Sequence, residues 1–333
     1  LELPKVAVIG CGNWGKNLVR NFAHLQTLTV VCDSDSGQLD RIAAEFKGVR
    51  VTTSFESVLE DKNVSAIVVA TPSDTHFELA KKSLIAGKHV YVEKPLARDV
   101  KHCEELDELA NERNLVLMVG HLLLYHPAVN CLKELIAAGE LGDLLFVRSD
   151  RMNFNMLRSH WSVLWDLAPH DLSMMSYLLD CDAPEVTRVG GWDTQNDGLV
   201  DVAYLDVSFP VGANGRVIPG QVRNSWIDPQ KLVRLTVNGT KKTAVLNDTQ
   251  IDDKLALHSL SMSAAGRMTT VIEHPYYPNI EPLHLECEHF LQCIVSGERP
   301  RSDANNAYHV VKVLSDVEKR LSARPRLQAP TTR

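Results

Sequence analysis

Gly10-Cys11-Gly12-Asn13-Trp14-Gly15 stands directly behind the apolar run Lys5-Val6-Ala7-Val8-Ile9. A strand followed by G-x-G-x-x-G is a dinucleotide-binding turn. The first glycine permits a tight bend, the second lets main chain approach a pyrophosphate, and the third lets the next helix pack on the strand. That helix offers free N–H groups and a partial positive charge to phosphates. Its pattern is present, with Leu18, Val19, Phe22 and Ala23 at helical spacing. Gly10, Gly12, Asn13, Trp14 and Gly15 are therefore candidate cofactor contacts. A second strand, 28–32, runs into Asp33, 18 residues after Gly15, where such folds hold the adenosine ribose. A carboxylate there accepts from ribose hydroxyls and repels a 2′-phosphate. Asp33-Ser34-Asp35-Ser36 carries no arginine to receive one. NAD is favoured over NADP, with Asp33 and Ser34 as contacts.

The 333 residues suffice for two domains. A net charge of −7 argues against nucleic acid or an anionic membrane as the main partner. Seven scattered cysteines, never spaced C-x-x-C, show neither a zinc ribbon nor a disulfide framework. They suggest reduced, packed thiols in a cytoplasmic protein. No secretory pattern precedes the first strand and no run of about 18 apolar residues occurs, so no membrane span is expected.

Residues 1–121 alternate strand and helix. Strand signals at 6–9, 28–32, 66–70, 89–92 and 115–119 are continuous apolar runs, as in a parallel sheet covered on both faces. Helices are clearest at 75–86 and 100–112. This part reads as an NAD-binding, Rossmann-type domain. Residues 122–333 change character, with helices at 127–138 and 166–179 and a strand at 144–150. Strand-like runs follow at 202–209, 217–226, 232–237, 243–246 and 268–272, and helices at 282–296 and 304–322 close the chain. The fold class is α/β, a parallel sheet followed by an α+β substrate and oligomerisation domain with an open, mostly antiparallel sheet. Residues 324–333 read as a loose tail.

Glu93-Lys94-Pro95 follows the strand at 89–92. Ligands bind beyond the carboxyl ends of parallel strands, so Lys94 points toward the nicotinamide end of a dinucleotide. Pro95 restricts Lys94 to an extended backbone and is compatible with a cis bond. A solvated surface pair is the plainer reading of Glu93-Lys94. Thr71-Pro72-Ser73 with His76 follows the third strand and should meet the middle of the cofactor, or else form an ordinary turn with a surface histidine. His121 closes the fifth strand at the same sheet edge. Asp166 and His170 share a helix face, with Asp166 at or near the N-cap and Pro169 in the first turn. A neutral histidine there can take a proton from an alcohol while the carboxylate orients it. A capping aspartate and a core histidine is the alternative. His284, Glu286, Cys287, Glu288 and His289 look metal-like, but their spacing closes no single-helix site. No metal is expected, and a solvated helix face is the better reading.

Together, Gly10-x-Gly12-x-x-Gly15, Thr71-Pro72 with His76, Glu93-Lys94-Pro95 and Asp166-x-x-x-His170 resemble the Gfo/Idh/MocA oxidoreductase family over nearly the whole chain. The resemblance implies catalytic roles for Lys94, His170 and Asp166, and a homodimer or homotetramer. Trp165-Asp166-Leu167-Ala168-Pro169-His170-Asp171, with Gly120-His121 and Tyr125-x-Pro127, departs from the glycine-rich stretch of many members. It resembles a sugar-nucleotide branch. That implies a UDP-sugar substrate, UDP-N-acetylglucosamine oxidised at C3 to the 3-keto sugar, with an aminotransferase consuming the product as in a lipid A precursor pathway. Under it His170 takes the hydroxyl proton and Lys94 stabilises the oxyanion. Tyr125, Arg148, Arg151 and Arg158 join them as candidate substrate contacts, the arginines for the diphosphate; ordinary surface charge is their plainer reading. Another sugar nucleotide, a polyol or inositol is the alternative substrate, and a non-catalytic NAD-binding sensor the alternative of a different class.

Overall fold

Short apolar runs bounded by turns build the first sheet of the computed structural model, which describes residues 3–154, 162–181, 183–195, 198–212, 215–262 and 268–322. In chain order the elements are β1 (Val6–Ile9), α1 (Gly15–His24), β2 (Leu28–Cys32), α2 (Ser36–Glu45), β3 (Arg50–Thr52), α3 (Phe55–Leu59), β4 (Ala66–Val69), α4 (His76–Ile85), β5 (His89–Glu93), α5 (Val100–Glu112), β6 (Leu117–Gly120) and α6 (Pro127–Ala137). There follow β7 (Leu144–Phe154), α7 (Val163–Leu179), β8 (Glu185–Trp192), β9 (Val202–Val211), β10 (Arg216–Ser225), β11 (Ile227–Gly239), β12 (Thr243–Asn247), β13 (Leu255–Met262), β14 (Met268–Glu273), α8 (Pro282–Ser296) and α9 (Ala304–Ser322). The expected fold class holds, with a Rossmann sheet and a second, mostly antiparallel one.

The chain divides into two compact units, residues 1–133 with 276–311, and residues 134–275 with 312–333. Helix α8 belongs to the first unit. Its Phe290 meets Phe22 of α1 and Tyr91 of β5 edge-on, at 6.5 and 5.8 Å between centroids.

In the first unit six parallel strands run in the order β3-β2-β1-β4-β5-β6. The order reverses at β1 and β4, and a ligand crevice lies outside the carboxyl ends of the strands at that point. All four residues of β1 and of β4 are buried, as helices on both faces require. The sequence pattern misses β3: three residues, none buried, give no apolar run.

In the second unit eight strands run β14-β13-β12-β11-β7-β10-β9-β8. All pairs are antiparallel except β7 with β10. Strands β8 and β13 are also unpredicted, since Gly190-Gly191 and the Ser/His-rich Leu255–Met262 lack clean alternation. Helix α7 packs against this sheet through Val163 and Leu167, which join Ala203 and Trp226 in one cluster. Full burial of each such aliphatic side chain stabilises by roughly 1.5–3 kcal/mol.

Helix α7 begins earlier than its sequence suggests. Val163 N–H donates to the Val200 carbonyl at 2.8 Å, and Ser162 is the N-cap residue. Asp166 therefore lies inside the first turn, not at the cap, and Pro169 lies within the helix. The expected tail and Arg158 fall outside the described residues. Among the described residues no helix is long and apolar enough to cross a membrane, and no group of three or more His, Cys, Asp or Glu is arranged to hold a metal ion.

Candidate active site

The glycine turn shows why each glycine is needed. Gly10 has φ +90°, a backbone L side chains rarely adopt. A Cβ on Gly15 would stand 2.1 Å from the Gly10 carbonyl oxygen. A Cβ on Gly12, by contrast, meets no protein atom within 4 Å. Protein packing does not demand that glycine, and the open space beside it suits close approach of a pyrophosphate.

Asp33 is tied to this turn. Its Oδ2 accepts from Cys11 N–H at 2.7 Å and its Oδ1 from Asp35 N–H at 2.9 Å. Burial pushes its carboxyl up, but N–H donors from Cys11, Asp35 and Ser34 and the Cys11 thiol outweigh burial and hold it below the usual carboxylate range. The same environment lifts the Cys11 thiol to about 12, through burial first and then the Asp33 charge. Asp33 is thus an anion beside the turn, as a ribose acceptor must be.

The loops after β4 and β5 are joined by His76. Its Nδ1 lies 2.8 Å from the Pro95 carbonyl and its Nε2 2.9 Å from the Thr71 carbonyl. The ring is buried, not at the surface, and burial lowers its pKa despite both carbonyls. His76 therefore fixes Thr71-Pro72-Ser73 relative to Lys94-Pro95, whose peptide bond is cis. The Thr71 and Thr75 hydroxyls close the turn at 2.7 Å.

Lys94 stands half-buried at the carboxyl end of β5. Burial raises the Glu93 carboxyl, and the Lys94 charge opposes that rise while disfavouring protonation of His121 and His76. Burial first, and Lys94 second, push the His121 imidazole down to about 3, so it is neutral at physiological pH. His121 is 1% exposed, and neither ring nitrogen has a hydrogen-bond partner among the described residues. An orphaned buried imidazole at the strand ends, beside Lys94, fits a site completed by a polar ligand. Glycine turn, Asp33, Thr71–Ser73, Lys94 and His121 thus share one edge of one sheet, and the residues present fit a dinucleotide.

In the second unit Asp166 and His170 lie one turn apart on α7. The residue that secures this helix is one the sequence reading passed over. Asp171, fully buried, accepts from Ser149 Oγ at 2.7 Å, Arg151 Nε at 3.0 Å and Asn224 Nδ2 at 2.8 Å. It binds α7 to β7 and β10 and so sets the position of His170. Its signal was an acidic residue four after Leu167 on the apolar stripe, a place a carboxylate occupies only when paired.

The expected substrate contacts Arg148, Arg151 and Tyr125 meet partners within the protein. Strand side chains alternate between faces, so Arg148 and Arg151 project to opposite sides of β7. Arg151 faces α7, whereas Arg148 pairs with Asp150 at 3.1 Å on the other face, beside Arg223. They cannot hold one diphosphate together. Tyr125 is 2% exposed in the first unit, its hydroxyl 2.8 Å from Ser302 Oγ and its ring under Arg301. It is a core residue. The His284–His289 stretch is not a solvated face either, because Glu286 and Cys287 are fully buried on α8. Leu283, Glu286, Cys287 and Phe290 are spaced i, i+3, i+4, i+7, which places Glu286 on the apolar stripe.

Residues 4–121 match the model of the Gfo/Idh/MocA oxidoreductase family with an NAD-binding Rossmann fold, and residues 129–245 match the Gfo/Idh/MocA C-terminal domain. The chain belongs to the Gfo/Idh/MocA family. It is an NAD(P)-binding oxidoreductase with the two-part architecture of that family. It is similar to scyllo-inositol 2-dehydrogenase (NAD(+)) of Bacillus subtilis, 26% identical over 89% of this chain and 87% of that one. It is also similar to UDP-N-acetylglucosamine 3-dehydrogenase of Acidithiobacillus ferrooxidans, 30% identical over 59% of this chain and 64% of that one. The solved structure of that enzyme superposes with a TM-score of 0.83 and 25% identity, covering 95% of this chain and 97% of that one.

Proposed function

We propose that this chain oxidises a secondary hydroxyl of a sugar nucleotide with NAD, the preferred substrate being UDP-N-acetylglucosamine and the product its 3-keto sugar. One observation carries the reading: Lys94 stands at the carboxyl end of β5, beside the orphaned His121, on the sheet edge that also carries the glycine turn and ionised Asp33. An ammonium there can hold the oxygen of a reacting alcohol. Bound NAD supplies the hydride acceptor. His170 takes the hydroxyl proton, Asp166 orients it from one turn away, and Lys94 stabilises negative charge developing on the oxygen. Arg151 remains the candidate among the described arginines for the diphosphate. Likeness to the Acidithiobacillus enzyme supports the sugar nucleotide. A second reading, a free inositol or polyol, is favoured by the longer match to the Bacillus enzyme. A 3-keto sugar is a substrate for an aminotransferase, which we propose as the coupled activity, and the enzyme as a homodimer or homotetramer.

The test is NADH absorbance with UDP-N-acetylglucosamine, other nucleotide sugars and free inositols, coupled to an aminotransferase that draws off the keto sugar. We expect UDP-N-acetylglucosamine to exceed free inositols at least about tenfold in kcat/KM, the discrimination that 1.4 kcal/mol supplies. Turnover of inositols without nucleotide sugars contradicts the proposal; binding of NAD with no turnover favours the sensor. In the same assay NAD outperforms NADP, and Asp33→Ala raises the KM for NAD about 10–100-fold, since hydrogen bonds to a charged group contribute roughly 1.5–3 kcal/mol. An unchanged KM for NAD contradicts the ribose role of Asp33.

A further inference from the structure

Beneath the Lys94 loop, within the first unit, lies a pair of buried acids. Glu93 is 9% exposed and Glu286 fully buried, with Tyr91 and Phe290 packed beside them. Two carboxylates in so apolar a volume do not both ionise. Burial raises both carboxyls, Glu286 further than Glu93, and the donors that oppose burial at Glu93 decide which one carries the charge. Trp14 Nε1–H donates to Glu93 Oε1 at 2.5 Å, the Tyr91 hydroxyl donates to the same oxygen at 3.2 Å, and Lys94 N–H lies 3.3 Å from Oε2. Neither oxygen of Glu286 has a hydrogen-bond partner among the described residues. Burial first, then the Glu93 charge, raises the Glu286 carboxyl far above the usual range. Tyr91 directs its proton to Glu93, so its hydroxyl, which adjoins Glu286, faces that acid with lone pairs and not with a donor. The glycine at the end of β6 belongs to the same arrangement. A Cβ on Gly120 would stand 2.8 Å from Glu93 Oε2 and 2.9 Å from the Tyr91 hydroxyl.

Trp14 is the N-cap residue of α1, yet its side chain makes no cap bond. Its indole N–H reaches instead across 79 residues of sequence to the residue before Lys94. We propose that Glu93, as the ionised member of the pair, is a positioning residue that ties the glycine turn through Trp14 to the Lys94 loop, and that Glu286 stays protonated so that the charge rests on Glu93. The tether holds the two ends of the dinucleotide site, phosphate turn and lysine loop, in one fixed relation. It concerns the dinucleotide alone and is independent of which alcohol is oxidised.

The test is a fluorescence titration of NADH and of NADPH in the absence of sugar, on full-length protein, with melting curves recorded in parallel. The tighter of the two dinucleotides is the probe. Trp14→Phe and Glu93→Gln each raise Kd about tenfold. The double variant stays near tenfold, because both changes break one bond. Glu286→Gln, which keeps a neutral hydrogen-bonding head, holds Kd within about twofold. The proposal is overturned by single variants that bind as wild type, by a double variant near a hundredfold, or by a Glu286→Gln loss equal to that of Glu93→Gln. Should Glu93→Gln not fold, Trp14→Phe decides alone, since this side chain is 41% exposed: a tenfold rise supports the tether and an unchanged Kd overturns it.

Discussion

Lys94→Ala lowers kcat about 10²–10⁴-fold while the Kd for NADH changes less than about threefold. This range is that of a lost acid–base or oxyanion-stabilising group. The split between kcat and Kd follows from placement. The glycine turn proposed for the phosphates lies between β1 and α1, and Asp33, proposed for the ribose, follows β2. Lys94 directly follows β5, and His121 directly follows β6 beside it. Removing its ammonium leaves the glycine turn and Asp33 intact. It also removes a charge that favours ionised Glu93 and disfavours protonation of His121. Lys94→Arg does not restore the rate, since a guanidinium is broader and never deprotonates. Stopped-flow measurement of NADH formation, with equilibrium titration of NADH beside it, checks both halves. A Lys94→Ala enzyme with more than a tenth of the wild-type kcat contradicts the role.

Gly15→Ala has the second large effect, and it falls on folding. The added methyl would sit 2.1 Å from the Gly10 carbonyl oxygen and 2.8 Å from its carbon. Those atoms are main chain of the turn itself, and Gly10 is already held at φ +90°. No side-chain rotation relieves the overlap, so α1 must move off β1. Overpacking of this kind costs about 3 kcal/mol or more. For a unit of this size that lowers the melting temperature by roughly 6–12 °C. Dinucleotide affinity falls with it. Gly12→Ala is the contrast, because no protein atom lies within 4 Å of the added carbon. Its melting temperature is unchanged within about 1 °C, and only the dinucleotide is lost. Calorimetry and NADH titration on both variants check this; equal melting temperatures for the two contradict it.

Much of the first unit is legible because a parallel sheet writes its strands as unbroken apolar runs, and the motifs then fall at strand ends by rule. The glycine turn, Asp33, Lys94 and His121 were placed at strand ends this way. What escaped was set by contacts distant in sequence. The start of α7 depends on a hydrogen bond from Val163 to Val200, which local propensity does not register. Arg148 and Arg151 look equivalent in a list of charges, yet a two-residue repeat with an odd offset sends them to opposite faces. Tyr125 is buried by Ser302, 177 residues away in the chain, and by its neighbour Arg301. Asp171 was passed over and Glu286 read as solvated, as charges usually are, though each is an acid on an apolar helix stripe. Searching the apolar stripes of helices for carboxylates would have found both.

The central claim is that hydride leaves the sugar carbon for the nicotinamide. It is tested most directly with UDP-N-acetylglucosamine deuterated at C3, incubated with enzyme, NAD and an aminotransferase that consumes the product. Mass spectrometry of the reduced nicotinamide then reports where the label goes. The account predicts one deuterium on the nicotinamide ring in each turnover; reduced cofactor without label, or no reduced cofactor with any nucleotide sugar, contradicts it.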